Sequence, residues 1–206
     1  MPWQPPYASA ADLAGWLGVE VDPELALATE AASRAIDRAC NRQFGQISSS
    51  EFRYYTAEWH HDRWLVGIDD LMTDTSLTVE VDNDQDGVPE AEITEYRLTP
   101  INAAAIGKPW TAIEILPSSP VKPNGLHHGV RVSARWGWSA VPNAIKLATM
   151  IQASRLYERR QNVAGQLREK EVDDVRLQWG LTGGTVELDA DVLASVGAYR
   201  RVWAAV

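Results

Sequence analysis

Apolar residues recur at a spacing of three to four near both ends of the 206-residue chain and at a spacing of two through its middle. Near the N-terminus, Ser9 followed by Asp12 is a variant of the capping box and Gly18 is a stop signal. They predict a short helix over 10–17 with Leu13, Trp16 and Leu17 on its apolar side. Asp22-Pro23-Glu24 opens a second helix: Asp caps it, Pro stands where no backbone donor is needed, and Glu meets the positive end of the dipole. This helix is expected to run to Gln43, with Gly45 as the residue that ends it. Its stripe of Leu25, Ala28, Ala32, Ile36, Ala39 and Cys40 is mostly alanine, so a neighbouring helix can approach closely. Arg34, Arg38 and Arg42 form a basic stripe on another face, which either faces solvent or meets an acidic neighbouring subunit.

From residue 47 to 135 helical spacing gives way to short runs rich in Val, Ile, Thr, Tyr and Trp, separated by turn residues. Strands are predicted at 52–55, 63–66, 77–82, 93–98, 112–116 and 130–135. A hairpin connection over 83–89 joins the third to the fourth. The section is too short and too irregular for a parallel α/β sheet. After the strand at 130–135 comes the aromatic turn Trp136-Gly137-Trp138, and Pro142 then opens a long helix to about Val163. A polar stretch at 164–174 reads as a mobile or partner-docked loop. Residues 175–179 read as a short strand and 180–184 as a flexible link. Asp189 should cap a last helix over 190–205, with Val192, Val196, Tyr199 and Trp203 on one face. The fold class expected is α+β: a helical bundle from 1–45 and 141–206, with an antiparallel β-rich domain inserted at 46–140.

Composition narrows the role. Nineteen Lys and Arg against 28 Asp and Glu leave a formal net charge of −9. That argues against broad electrostatic binding of nucleic acid, which depends on neutralising phosphates. Nine Trp is a high number for this length, and some can serve subunit contacts, where Trp is enriched. No apolar run reaches the ~18 residues of a membrane span. The Pro-rich start, with Pro2, Pro5 and Pro6, reads as an extended arm rather than a secretion signal. A single cysteine, Cys40, excludes an intramolecular disulfide, fits a reducing compartment and reads as a small core residue.

Motifs that carry chemistry are few. Asp82-Asn-Asp84-Gln-Asp86-Gly87 resembles the start of a calcium loop, with carboxylates at alternate positions before a glycine. The twelfth position, where a bidentate Glu belongs, is Ile93, and β-like sequence lies on both sides. The favoured reading is a plain acidic turn, with Asp82, Asp84 and Asp86 as a weak calcium candidate. His60-His61 and His127-His128 lack the spacing of zinc ligands and read as loop residues. There is no G-x-S-x-G elbow, no phosphate loop and no dinucleotide fingerprint. The reading is therefore not an enzyme, with no catalytic residue and no cofactor.

Five stretches, in order, resemble one family, the head-to-tail connector (adaptor) proteins of long-tailed bacteriophages. They are the opening Tyr7-Ala-Ser-Ala-Ala-Asp-Leu-Ala-Gly-Trp-Leu-Gly18, the second helix closing in Ala-Cys-Asn-Arg-Gln-Phe-Gly45, and the middle section with Tyr96-Arg-Leu-Thr-Pro-Ile-Asn102. The most specific is the strand–Trp-Gly-Trp–helix stretch over 130–160, and the last is Ala198-Tyr-Arg-Arg201 within the closing helix. The resemblance implies a structural ring, commonly of twelve subunits, beneath the portal protein of the DNA-filled head. That ring would extend the DNA channel and dock a head-closure, stopper or tail protein. DNA would pass through without specific binding. The protein would be made in the host cytoplasm, take its place in the virion neck, and touch no membrane. It also implies a portal contact at Tyr199, Arg200, Arg201 and Trp203, with 166–174 as a second contact. Ring subunits join two different faces, and opposed stripes such as Arg34, Arg38 and Arg42 and the carboxylates of 69–74 could serve that contact, with the pairing of stripes left open. The alternatives are another neck component, such as a head-closure or tail-end protein, and a DNA-packaging or DNA-binding protein.

Overall fold

The structure is a computed structural model and describes residues 4–161, 169–172, 175–178 and 188–201. The chain divides into two compact units, Met1–Phe44 with Val141–Val206, and Gly45–Ala140. The fold is α+β, as the alternation of patterns leads one to expect.

The first unit is built on helices α1 (Ala10–Leu17), α2 (Pro23–Cys40), α3 (Asn143–Gln161) and α4 (Ala190–Val196). Both early caps form as their chemistry requires. The Ser9 hydroxyl accepts the Asp12 N–H at 3.0 Å, the Asp12 carboxylate accepts the Ser9 N–H at 3.1 Å, and Gly18 ends α1 at φ 69°. Asp22 accepts the N–H groups of Glu24 and Leu25, and Pro23 fills the first position of α2. Yet α2 ends earlier than expected. Asn41 takes the left-handed conformation at φ 52°, and its N–H returns to the Asp37 carbonyl; after glycine, asparagine is the residue found in this geometry. Gly45 belongs to the second unit instead.

Leu13, Ala14, Leu25, Ala28, Ala32 and Ala153 form one buried cluster, against which Leu156 and Tyr157 of α3 pack. Small residues on α2 allow α3 to lie close, so the stripe read from the sequence is a helix–helix seam. Trp16 is not part of it: 55% of its surface is exposed. Cys40 is fully buried, and burial pushes its thiol up to about 11, which makes it unreactive at neutral pH. No helix among the described residues is long and apolar enough to cross a membrane.

The second unit holds strands β1 (Glu51–Tyr55), β2 (Ala57–His60), β3 (Arg63–Leu71), β4 (Thr78–Val81), β5 (Ala91–Glu92), β6 (Tyr96–Thr99), β7 (Trp110–Ile115) and β8 (Val130–Ala134). They make two antiparallel four-stranded sheets, ordered β1-β8-β4-β5 and β2-β3-β7-β6. Val130, Val132 and Ala134 alternate inward from β8, and Val66 and Ile68 do so from β3. Strand β2 was not expected. It pairs with β3 across a two-residue turn, His61-Asp62, with φ 49° and 62°. This is the geometry that Asn-Gly normally signals, made here by residues that give no such signal.

The Trp-Gly-Trp corner locks this unit. Trp136 donates its indole N–H to the Glu51 carbonyl and Trp138 donates its own to the Asp70 carboxylate, both at 2.8 Å, and both rings are buried. Gly137, at φ 105°, donates to the Asp70 carbonyl at 2.7 Å, and the Trp138 N–H reaches the Gly45 carbonyl at 2.8 Å. A Cβ on Gly137 would stand 2.0 Å from the Gly45 oxygen. The corner serves packing.

Later in the chain, β9 (Glu169–Val172) pairs antiparallel with β10 (Val175–Gln178). Part of the polar stretch expected to be a loop is thus strand, because its backbone groups find ladder partners in the next segment.

Candidate functional site

The C-terminal segment is fastened to its own subunit as far as Arg201. Val192 and Val196 of α4 are buried, Tyr199 packs edge-on against Phe44 with ring centroids 5.8 Å apart, and the Arg201 N–H donates to the Cys40 carbonyl at 2.8 Å. The helix expected over 190–205 stops at Val196 and is followed by a 3₁₀ turn, Gly197–Tyr199. Gly197 weakens helix continuation. The extended backbone of Arg200 then carries the next N–H to a carbonyl that the end of α2 leaves without a helical partner. Of the four residues that the resemblance places at a portal contact, Tyr199 and Arg201 therefore hold the segment down and Arg200 is exposed. Trp203 lies outside the described residues, as do 166–168, 173 and 174 of the second contact and the glycine-rich 180–184.

Asp189 stands at the start of α4, but its side chain makes no cap hydrogen bond. Arg155 reaches it at 3.0 Å and Arg159 at 2.8 Å, while Arg155 also forks onto Asp191 at 2.8 and 2.6 Å. The arginines of α3 out-compete the backbone because a charge-assisted pair is the stronger bond. This clamp holds the Asp191 carboxyl at about 2, and Ser9 with Lys146 holds Asp12 at about 2. Both lie below the unfolded value, so the stability they add is fully present above about pH 4 and lost as pH falls towards 2. The melting temperature should fall over that window, and Arg155→Met should flatten part of the fall. Thermal melts of both proteins at pH 5, 3 and 2 check this.

The basic stripe is not uniform. Arg34 turns into its own unit: it donates to the Pro5 carbonyl at 2.9 Å, pairs with Asp37 at 3.0 Å and lies 5.7 Å from the Tyr7 ring centroid. Tyr7 is itself buried, donating its hydroxyl to Asp37 and accepting the Phe44 N–H at 2.8 Å. Burial pushes both the Tyr7 phenol and the Asp37 carboxyl up. The arm read as merely extended is anchored here, a role that Pro5 and Pro6 gave no means of seeing. Arg42 is half-buried and Arg38 is exposed, so of the three only Arg38 stands at the surface. The expected acidic counterpart is likewise largely committed. Asp69 accepts from Arg53 at 2.6 Å and from Tyr55 at 2.9 Å, Asp70 is buried against Trp138, and Asp74 is exposed.

What the sequence missed is a set of exposed apolar side chains. Trp16, Val19, Val21 and Leu27, all from the α1–α2 segment, are exposed, three of them by more than half. Trp16 sits at helical spacing from Leu13 and so reads as core, and the link carries no periodicity.

In the second unit, the loop between β4 and β5 gathers Asp82, Asp84 and Asp86 so that one carboxylate oxygen from each lies within 4.8 Å of the others. His60 ends β2 and His61 is the first residue of the β2–β3 turn, and His127 and His128 lie on an exposed loop where Thr56 bonds His127 at 3.2 Å.

Along almost its entire length the fold is similar to that of a chain in the neck of the native GTA particle, solved with C12 symmetry. The TM-score is 0.55 at 21% identity, covering 99% of this chain and 96% of that one. A chain in the neck of the empty GTA particle, solved with C6 symmetry, gives 0.54 at the same identity and coverage. No protein-family model matches the chain, and no curated protein does. The likeness at this identity is one of fold, shared by the helical unit and the β-rich unit alike.

Proposed function

We propose that this chain is a structural head-to-tail adaptor of a tailed phage or phage-like particle. It would form a ring, of twelve subunits, under the portal protein, extend the DNA channel and dock the next neck or tail protein. It would act without catalysis. The observation that carries this reading is the likeness of the whole chain, inserted β unit included, to a chain from a particle neck solved with twelvefold symmetry.

Physical chemistry supports the reading. A net charge of −9 suits a wall along which DNA must slide without being held. A ring joins two different faces of each subunit, and the exposed Trp16, Val19, Val21 and Leu27 would supply the apolar part of such a seam, with the exposed Arg38, further along α2, as a charged contribution. Arg34 and Arg42 are secondary there. The portal contact falls to Arg200 and Trp203, with Tyr199 and Arg201 setting the direction of the segment. Residues 166–174 form a second contact.

Sedimentation of the chain with its particle's portal protein tests this. Co-migration at a fixed stoichiometry near one adaptor per portal subunit is expected. Failure to co-migrate, together with a shift of duplex DNA in a gel at physiological salt, would favour the DNA-packaging alternative. Co-migration with a tail component alone would favour another neck position.

A further inference from the structure

We propose that the tip of the β4–β5 hairpin is a calcium site formed by the carboxylates of Asp82, Asp84 and Asp86. Three acidic side chains close together would not by themselves argue for an ion. Asp82 does. It is only 4% exposed, and its Oδ2 accepts the Gly87 N–H at 3.0 Å. Its Oδ1 is sealed from solvent and has no hydrogen-bond partner among the described residues. An ionised carboxylate oxygen buried without a donor is costly unless a positive charge neutralises it. Two more carboxylates within 4.8 Å add like-charge repulsion. No Lys or Arg among the described residues forms an ion pair with any of the three. A hard cation held by the cluster would supply the positive charge that both call for.

The loop around the cluster is braced. Asp84 accepts the Asp86 N–H at 3.2 Å and Asp86 accepts the Val88 N–H at 2.7 Å, which orients both carboxylates, and Gly87 at φ 87° makes the sharp bend. Asn83 ties the loop to Asn124 through bonds of 2.9 and 3.2 Å. The all-oxygen donor set suits Ca²⁺, which accepts a flexible shell of six to eight oxygens. Mg²⁺ demands a near-ideal octahedron and gives up its waters reluctantly. Glu90 does not join the set: its carboxylate accepts the N–H groups of Asn83, at 2.9 Å, and Asp84, at 3.1 Å. With the buried Ile93 in place of a bidentate Glu, half-saturation should fall at about 0.1–1 mM, the range of weak calcium loops. This inference stands apart from the adaptor reading.

The test is calorimetric titration of the full chain, stripped with EDTA, with CaCl₂. Saturable heat with a midpoint of about 0.1–1 mM is expected, and melting at least about 4 °C higher in 5 mM CaCl₂ than in EDTA. Asp82→Asn should abolish both responses. In EDTA it should melt no lower than the parent, because the amide oxygen still accepts from Gly87 while the buried charge is gone. Should that variant not fold, Asp84→Asn at an exposed position carries the test, with binding weakened at least tenfold. The site is overturned by no heat and no shift at 5 mM CaCl₂. It is equally overturned by an identical response to MgCl₂ at matched ionic strength, or by undiminished binding in the folded Asn variant.

Discussion

Gly137→Ala is expected to destabilise the protein by about 3–5 kcal/mol, among the largest effects of any single substitution. Two independent causes act together. The backbone sits at φ 105°, where an L side chain is strained, and the new Cβ would stand 2.0 Å from the Gly45 carbonyl oxygen and 3.0 Å from its carbon. Neither atom is the end of a flexible side chain. Relief requires the backbone of 45 and 137 to part, and that breaks the Trp138 N–H bond to the Gly45 carbonyl and loosens the Gly137 N–H bond to Asp70. Melting followed in the near-ultraviolet, where the buried Trp136 and Trp138 report, should fall by 15 °C or more, taking roughly 4–8 °C per kcal/mol for a unit of this size. Gly67→Ala is the control: an added Cβ there meets nothing within 4 Å, so stability should stay within about 0.5 kcal/mol of the parent. A Gly137→Ala protein that melts with the parent would mean that the corner is not a lock.

The second large effect concerns assembly rather than folding. Trp16→Glu combined with Leu27→Glu should weaken ring formation by at least a hundredfold while leaving the subunit as stable as before. Both side chains are more than half exposed, so their replacement leaves no cavity. Trp is the residue type most often found to dominate an interface, and truncating such an anchor costs about 2 kcal/mol or more, with each 1.4 kcal/mol a factor of ten. Two charges placed in an apolar seam add a desolvation cost. Cross-linking and sedimentation in the presence of the portal protein measure the first effect, and thermal melting the second. Rings that form normally from the double variant would remove the α1–α2 segment from the seam. A melting temperature that falls in parallel would instead place these residues in the subunit core.

Local chemistry made much of the fold legible. Ser9 with Asp12 and Asp22 with Pro23 are signals completed within four residues, so their helix starts could be read with confidence in the mechanism. Period-two runs located six strands. What could not be read was decided by groups distant in sequence. The Cys40 carbonyl at the end of α2 takes the N–H of Arg201, 161 positions on. Asp189 abandons its cap for Arg155 and Arg159, more than 29 residues away. Arg34 looks like one member of a surface stripe because nothing near it in sequence reveals Tyr7 and Pro5. The candidate sites divide the same way. The acidic hairpin was visible as a string of carboxylates, whereas the burial of Asp82 that distinguishes it from an ordinary turn depends on the surrounding strands. Trp16 was placed on the apolar side of α1 because helical spacing marks one side of a helix without saying what covers it, and Val19, Val21 and Leu27 carried no assignment.

The most direct test of the adaptor reading is an electron-microscopic reconstruction of the neck of the particle that contains this chain. The expected result is a twelvefold ring immediately below the portal, with the helical unit at the seam between subunits, Trp16 and Leu27 in contact with the neighbouring copy, and Arg200 directed at the portal. A neck reconstruction in which this ring is formed by another chain, with this one absent or bound to DNA inside the head, would contradict it.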